Sequence, residues 1–130
     1  MSNGFPPNFS PSEFRCKCHG VYCDGEPPNP DRIRHLAWAL QHIRYQCGAP
    51  LSVTSGYRCP DHNKAVGGVK NSQHVQCNAA DIQLSTPNNS KIADIAEELS
   101  DNLIVPIGGV GRYNTFTHVD IRHEKARWTG

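Results

Sequence analysis

The sequence predicts a single α+β domain, a small antiparallel sheet with flanking helices. Three observations carry that expectation. Two segments repeat their apolar residues at helical spacing, and four short segments read as strands between turn-rich stretches. No internal repeat, low-complexity tract or linker divides the 130 residues, a length that supports one modest core.

Residues 1–11 (MSNGFPPNFSP) hold three Pro and are expected to form an extended lead-in. Ser10-Pro11-Ser12-Glu13-Phe14 opens a short helical turn, with Ser10 as N-cap and Glu13 three positions on. Residues 16–30 carry Cys16, Cys18 and Cys23, then Pro27, Pro28 and Pro30, with neither helical nor strand periodicity, so something else must hold them. Residues 31–47 give the clearest helix: Asp31 stands at its N-cap, and Ile33, Leu36, Ala37, Leu40, Ile43 and Cys47 share one face. His35 and His42, one heptad apart on it, are expected to face solvent. Gly48 and Pro50 end the helix. Leu51–Ser55 reads as a buried strand, and residues 56–71 as a polar, Gly-rich loop. A second strand is expected at Ala79–Leu84, a turn at Ser85–Ser90, and a second helix at Lys91–Leu103 through Ile92, Ile95, Ala96, Leu99 and Leu103. Two last strands fall near Gly109–Tyr113 and Thr117–Arg122.

Composition narrows the function classes. Lys and Arg total 13 against 12 Asp and Glu, a formal charge of +1 with no basic cluster, which argues against nucleic-acid binding. No apolar run approaches the roughly 20 residues of a membrane helix, so no membrane insertion is expected. Met1–Ser10 has no apolar signal-peptide core, so synthesis in the cytoplasm without a cleaved leader is expected. Six Cys fit disulfides in an oxidising space, and reduced thiols or metal ligands elsewhere.

Three residues form a candidate metal set: His74, Asp81 and His118. Asp81 interrupts an apolar strand signal (Ala79-Ala80-Asp81-Ile82), where a carboxylate is costly to bury unless paired or metal-bound. His118 and Asp120 share one face of the last strand. Two His and one carboxylate, with a fourth position left to water, suit a catalytic zinc site; a hydrogen-bonded His–Asp pair between strands is the simpler reading of the same residues.

The local strings add a resemblance. Ser55-Gly56-Tyr57-Arg58, then Ser72-x-His74-x6-Asp81, then Gly108-Gly109-Val110-Gly111, Phe116-Thr117-His118-Val119-Asp120 and Lys125-Ala126-Arg127-Trp128 occur in that order. Together, from about Phe9 to Trp128, they resemble peptidase family M15, in its branch of zinc D-Ala-D-Ala carboxypeptidases and murein endopeptidases with the Hedgehog/DD-peptidase fold. The resemblance implies one catalytic Zn2+ on His74, Asp81 and His118. It implies Arg58 at the active site, holding substrate or the developing oxyanion, where Arg58 could otherwise pair with Asp61 or Asp81. Asp120 is the expected general base, with acceptance of a hydrogen bond from a zinc-bound imidazole as its rival role. Relatives often carry Glu or His just before the last ligand; Asn114, Thr115, Phe116 and Thr117 stand there in this chain. Ser72 is expected to contact substrate or cap its loop, and Tyr57 and Tyr113 to line the cleft or pack in the core. Where the family usually has Gly, this chain has Cys77, which would be strained at positive φ, could face the metal, or could simply fill a small space.

The resemblance implies a peptidoglycan stem-peptide substrate and action in the periplasm or cell wall; a monomer is expected. Without a signal peptide the chain looks like a phage or prophage endolysin with a holin-type export partner, and equally like a bacterial enzyme exported by another route. A non-catalytic, zinc-stabilised binding module of the same fold and a virion-associated wall-opening component are the competing readings. Cys16-x-Cys18-His19-x3-Cys23 could hold a second, structural zinc, or its thiols could stay free or form disulfides that draw in Cys47 or Cys59.

Overall fold

A computed structural model describes residues 4–84 and 89–130. In chain order the elements are a 3-10 turn at Pro11–Phe14, α1 (Pro30–Cys47), β1 (Leu51–Ser55), α2 (Pro60–Ala65), β2 (Ala79–Leu84), α3 (Asn89–Asp101), β3 (Gly109–Arg112), β4 (Thr117–Asp120) and β5 (Ala126–Thr129). This is the α+β fold the sequence predicts. Of the expected turn at Ser85–Ser90, residues 85–88 lie outside the described residues, as do residues 1–3 of the lead-in.

The sheet order is β1-β2-β4-β3-β5. Its pairs are antiparallel except the last, where β5 runs parallel to β3. That edge pair departs from the all-antiparallel expectation: the chain leaves β4 and crosses the end of β3 through residues 121–125 before pairing on its far side. Alternation then sorts the sheet into two faces. Ala80, Ile82, Val110 and Val119 are buried in the hydrophobic core, and α3 packs over β2, β3 and β4 with α1 beside it. Asp81, Gly109, Gly111, His118 and Asp120 occupy the other face.

The predicted apolar stripe of α1 is buried along its length, from Ile33 to Cys47. Its N-cap is Asn29, two residues before the expected Asp31. The Asn29 Oδ1 accepts from the Arg32 N–H at 3.2 Å, and Pro30 occupies the first helical position, where its missing N–H removes no bond. Gly48 closes the helix at φ 65°. The described part of the lead-in is docked: Phe9 packs on Phe14, and the buried Gln41 of α1 exchanges hydrogen bonds with Asn8. Leu103, expected on the inner face of the second helix, is 90% exposed. The helix stops at Asp101 and Leu103 turns at φ 57°, so Val105 and Ile107 enter the core instead. Among the described residues no helix is long and apolar enough to cross a membrane.

Candidate metal centre and its cleft

Sheet register builds most of the site. Asp81 on β2 pairs directly with His118 on β4, and His118 pairs on its other side with Gly111 on β3. His74 arrives from the loop before β2. The backbone N–H of Arg58 donates to the His74 carbonyl at 3.2 Å, and the Ser72 hydroxyl accepts from the His74 N–H at 3.1 Å.

Each imidazole is oriented by its outer nitrogen. The Gly56 carbonyl lies 2.8 Å from His74 Nδ1. A carbonyl only accepts, so Nδ1 carries the proton and Nε2 presents a lone pair to Asp81. On His118 the Asp120 carboxylate lies 2.8 Å from Nε2, which turns Nδ1 toward Asp81. Asp81 Oδ1 is then 3.2 Å from His74 Nε2 and 3.3 Å from His118 Nδ1. It is buried with no hydrogen-bond partner. Ligands about 2.0–2.1 Å from a tetrahedral zinc lie about 3.3 Å from one another, so these edges suit that ion. The donor set and the orphaned oxygen both fit a cation.

Burial pushes the Asp81 carboxyl up, but the neighbouring His118 and His74 rings outweigh it and hold the group at about 2. For His118, burial works against the charged ring, and the Asp120 and Asp81 carboxylates reverse it, leaving its pKa above the usual imidazole value.

The three residues line a cleft of about 710 Å³. Arg58 also lines it: its Nη2 is 3.9 Å from Asp81 Oδ2, and its Nη1 donates to Asn63 Oδ1 at 2.9 Å. Burial lowers the Arg58 pKa, which Asp81 partly offsets. Asn63, from α2, also donates to the Val69 carbonyl at 2.8 Å, tying Arg58 to the Val66–Val69 wall. A Cβ on Gly68 would lie 2.1 Å from Asn63 Oδ1, so this arrangement requires glycine there. On the opposite wall Tyr113 stacks on Phe116 at 4.4 Å, and its hydroxyl accepts from Trp128 Nε1 at 2.8 Å. Ser72 lies at the edge of the cleft, its hydroxyl engaged in the loop. Tyr57 does not line the cleft. It is buried in the core, and that burial pushes its hydroxyl up to about 12.

Asp120 is fully buried. Its Oδ1 accepts from the Gly109 N–H at 3.0 Å and the Arg122 N–H at 3.1 Å, and its Oδ2 accepts from Arg122 Nη2 at 2.7 Å beside the His118 contact. Burial raises its pKa, but His118 and Arg122 together drive it well below the ordinary carboxylate range. A Cβ on Gly109 would lie 2.3 Å from Asp120 Oδ2, and one on Gly111 would lie 2.5 Å from the Trp128 ring. These two glycines admit both groups to the site face.

Cys77 adopts φ 63°, the strained conformation expected if a side chain replaces glycine. Its thiol is buried near the backbone of Asn29 and the charge of Arg32, and it is not part of the His74–Asp81–His118 set. His35, His42 and His123 are exposed. His62 packs near Tyr22. His19, the expected fourth member of the cysteine cluster, is exposed at φ 55° in a tight turn; Cys59 takes its place beside Cys16, Cys18 and Cys23. Cys47 stands apart, its thiol donating to the Ala49 carbonyl at 3.4 Å.

A sequence profile of peptidase M15 matches residues 7–120. The chain belongs to the peptidase M15 family. It is also 34% identical, over 118 residues, to the zinc D-Ala-D-Ala carboxypeptidase of Streptomyces albus G. That alignment takes in 88% of this chain and 46% of the relative, so the chain spans less than half the relative's length.

Sequence reasoning gave no role at this candidate site to Asn63, Arg122, Phe116 or Trp128. The signal for Arg122 was available, since it follows Asp120 by two positions and returns onto it through Nε and Nη2. The guanidinium also lies 5.3 Å from the Trp128 ring centre, which in turn is 5.0 Å from His118. In this M15 chain a layered wall of Arg122, Trp128 and His118 thus closes one side of the metal centre.

Proposed function

We propose that the protein is a zinc peptidase hydrolysing bonds to D-amino acids in peptidoglycan stem peptides or their cross-links. The observation that carries this reading is Asp81 Oδ1, buried without a hydrogen bond between two imidazole nitrogens in the cleft. The similarity to a zinc D-Ala-D-Ala carboxypeptidase supports the metal and the substrate class. His74 through Nε2, His118 through Nδ1 and Asp81 would hold the zinc. When bound, that ion supplies a Lewis acid and a hydroxide near neutral pH.

The chain's own residues do the rest. The Gly56 carbonyl keeps the proton of His74 on Nδ1, and Asp120 keeps that of His118 on Nε2, so both inward nitrogens stay free to bind metal. Asp120 is a positioning residue on this reading. Its acceptor sites are filled by Gly109, His118 and Arg122, so the general-base role gives way to the orienting one. Among the described cleft residues Asp81 is the one carboxylate, so Asp120 has no carboxylate successor as base. Arg58 presents a planar cation beside Asp81, placed to clamp a substrate carboxylate or the oxyanion of a tetrahedral intermediate. That cation favours turnover over the binding-module reading. We assign the action to the cell wall, in the manner of an endolysin.

Mass spectrometry of peptidoglycan fragments, after incubation with zinc-loaded protein and with a chelator-treated control, tests the proposal. Chelator-sensitive loss of a terminal D-Ala identifies a carboxypeptidase, and loss of cross-linked dimers an endopeptidase. An unchanged profile with zinc still bound refutes turnover and favours the binding module.

A further inference from the structure

Away from the cleft, four cysteine sulfurs converge where the irregular segment before α1 meets the loop after β1. The Sγ atoms of Cys16, Cys18, Cys23 and Cys59 all lie within 4.8 Å of one another. We propose that these four thiolates hold a structural zinc ion that locks the N-terminal loop to the arm bearing Arg58.

The spacing decides between the chemistries open to four neighbouring cysteines. Zinc–thiolate bonds of about 2.3 Å in a tetrahedron set sulfur–sulfur edges of about 3.8 Å. Cys18 and Cys23 are 3.5 Å apart, well beyond the roughly 2.05 Å of a disulfide, and all six cysteines carry free thiols. Buried thiols can pack as small apolar groups. Four of them facing one another across one point is instead the closed donor set of a structural zinc, with no position left for water.

The local backbone is shaped for the cluster. Cys18 and Val21 close a turn with a 3.1 Å hydrogen bond, in which His19 and Gly20 both adopt positive φ. The Cys16 N–H donates to the Gly25 carbonyl at 2.9 Å, folding Cys23 back toward Cys16. Backbone amides are aimed at the sulfurs: Cys59 N–H at Cys16 Sγ (3.3 Å), Gly25 N–H at Cys23 Sγ (3.3 Å) and His62 N–H at Cys59 Sγ (3.4 Å). Such donors offset the excess negative charge of four thiolates around a divalent ion. The cluster would join the Arg15 contacts to Glu26 and to the Asp24 carbonyl in holding the segment from Arg15 to Asn29, which contains no helix or strand.

The position has a consequence for the cleft. Cys59 follows Arg58 directly and caps α2, whose Asn63 fixes the Arg58 guanidinium. The ion therefore stiffens the base of the Arg58 arm from behind. None of this rests on the peptidase reading, because the cleft ligands include no sulfur, and a sulfur-specific signal reports this site alone.

The test uses the full chain, purified in zinc and then exchanged with Co2+. The expected result is one sulfur-bound metal ion per chain, whatever the cleft holds, with intense sulfur-to-cobalt charge-transfer absorption in the near ultraviolet and a sulfur shell at about 2.3 Å in zinc X-ray absorption. Cys18→Ser with Cys23→Ser should lose one ion and the sulfur signature, while Cys47→Ser keeps both. Should the double variant fail to fold, the wild-type spectrum still decides. Reduced wild-type protein that binds metal without a sulfur signature overturns the proposal. So does an intact mass showing disulfides among these four residues in protein purified without reductant.

Discussion

Replacing Asp120 with Asn separates the two roles open to this carboxylate. Both oxygens are engaged by donors: Gly109 N–H and Arg122 N–H at Oδ1, His118 Nε2 and Arg122 Nη2 at Oδ2. An amide can present one oxygen only, so either orientation sets its NH2 group against existing donors. The arrangement that relieves the clash at His118 moves the imidazole proton from Nε2 to Nδ1, the nitrogen facing Asp81 at 3.3 Å. A proton there blocks metal ligation. Loss of such an orienting partner costs about 10- to 100-fold in metal affinity, or about 1.4–2.7 kcal/mol. Competition against a chromophoric zinc chelator, with peptidase turnover measured at saturating zinc, reads both quantities. The structure predicts weaker zinc binding together with lower activity. Undiminished zinc affinity with turnover abolished would refute the orienting role and restore Asp120 as the base.

Arg58→Met should lower kcat/KM by about 10²- to 10³-fold while zinc content stays unchanged, because the guanidinium borders the metal set without belonging to it. Gly109→Ala brings a methyl within 2.3 Å of an Asp120 oxygen pinned by His118 and Arg122, so both thermal stability and zinc affinity should fall, the former by about 1–3 kcal/mol; a variant matching wild type in both contradicts the packing described. Tyr57 is raised to about 12 in the folded chain against about 10 unfolded. The folded state therefore keeps a proton that the unfolded state loses, and stability falls as pH rises through that window. Tyr57→Phe should flatten this alkaline decline in urea titrations, and coincident slopes for the two proteins would rule it out.

Much of the architecture was readable because local patterns coincide with local structure. The strands Leu51–Ser55 and Ala79–Leu84 and the buried stripe of α1 follow from local apolar pattern, although Leu51–Ser55 is an edge strand in which only Leu51 is buried, not the buried strand expected. The metal set was legible for a related reason: Asp81 in an apolar run is anomalous wherever the chain folds. α2 left no comparable trace, since its six residues bury only Asn63 and carry no apolar face. β5 was hidden for a similar reason, being a half-buried edge strand of four residues. Leu103 kept the helical spacing but fell beyond the turn that ends α3.

The sequence by itself thus determined which elements form and which side chains are chemically out of place, because both depend on neighbours a few positions away. Tertiary structure alone decided the matters that depend on register between distant segments. Strand pairing set Asp81 against His118, and Gly109 and Gly111 let Asp120 and Trp128 approach, which puts the Asp120 carboxylate 2.8 Å from His118 Nε2. The same long-range closure brought Cys59 to Cys16, Cys18 and Cys23 and left His19 at the surface, a choice that no spacing within residues 16–23 encodes.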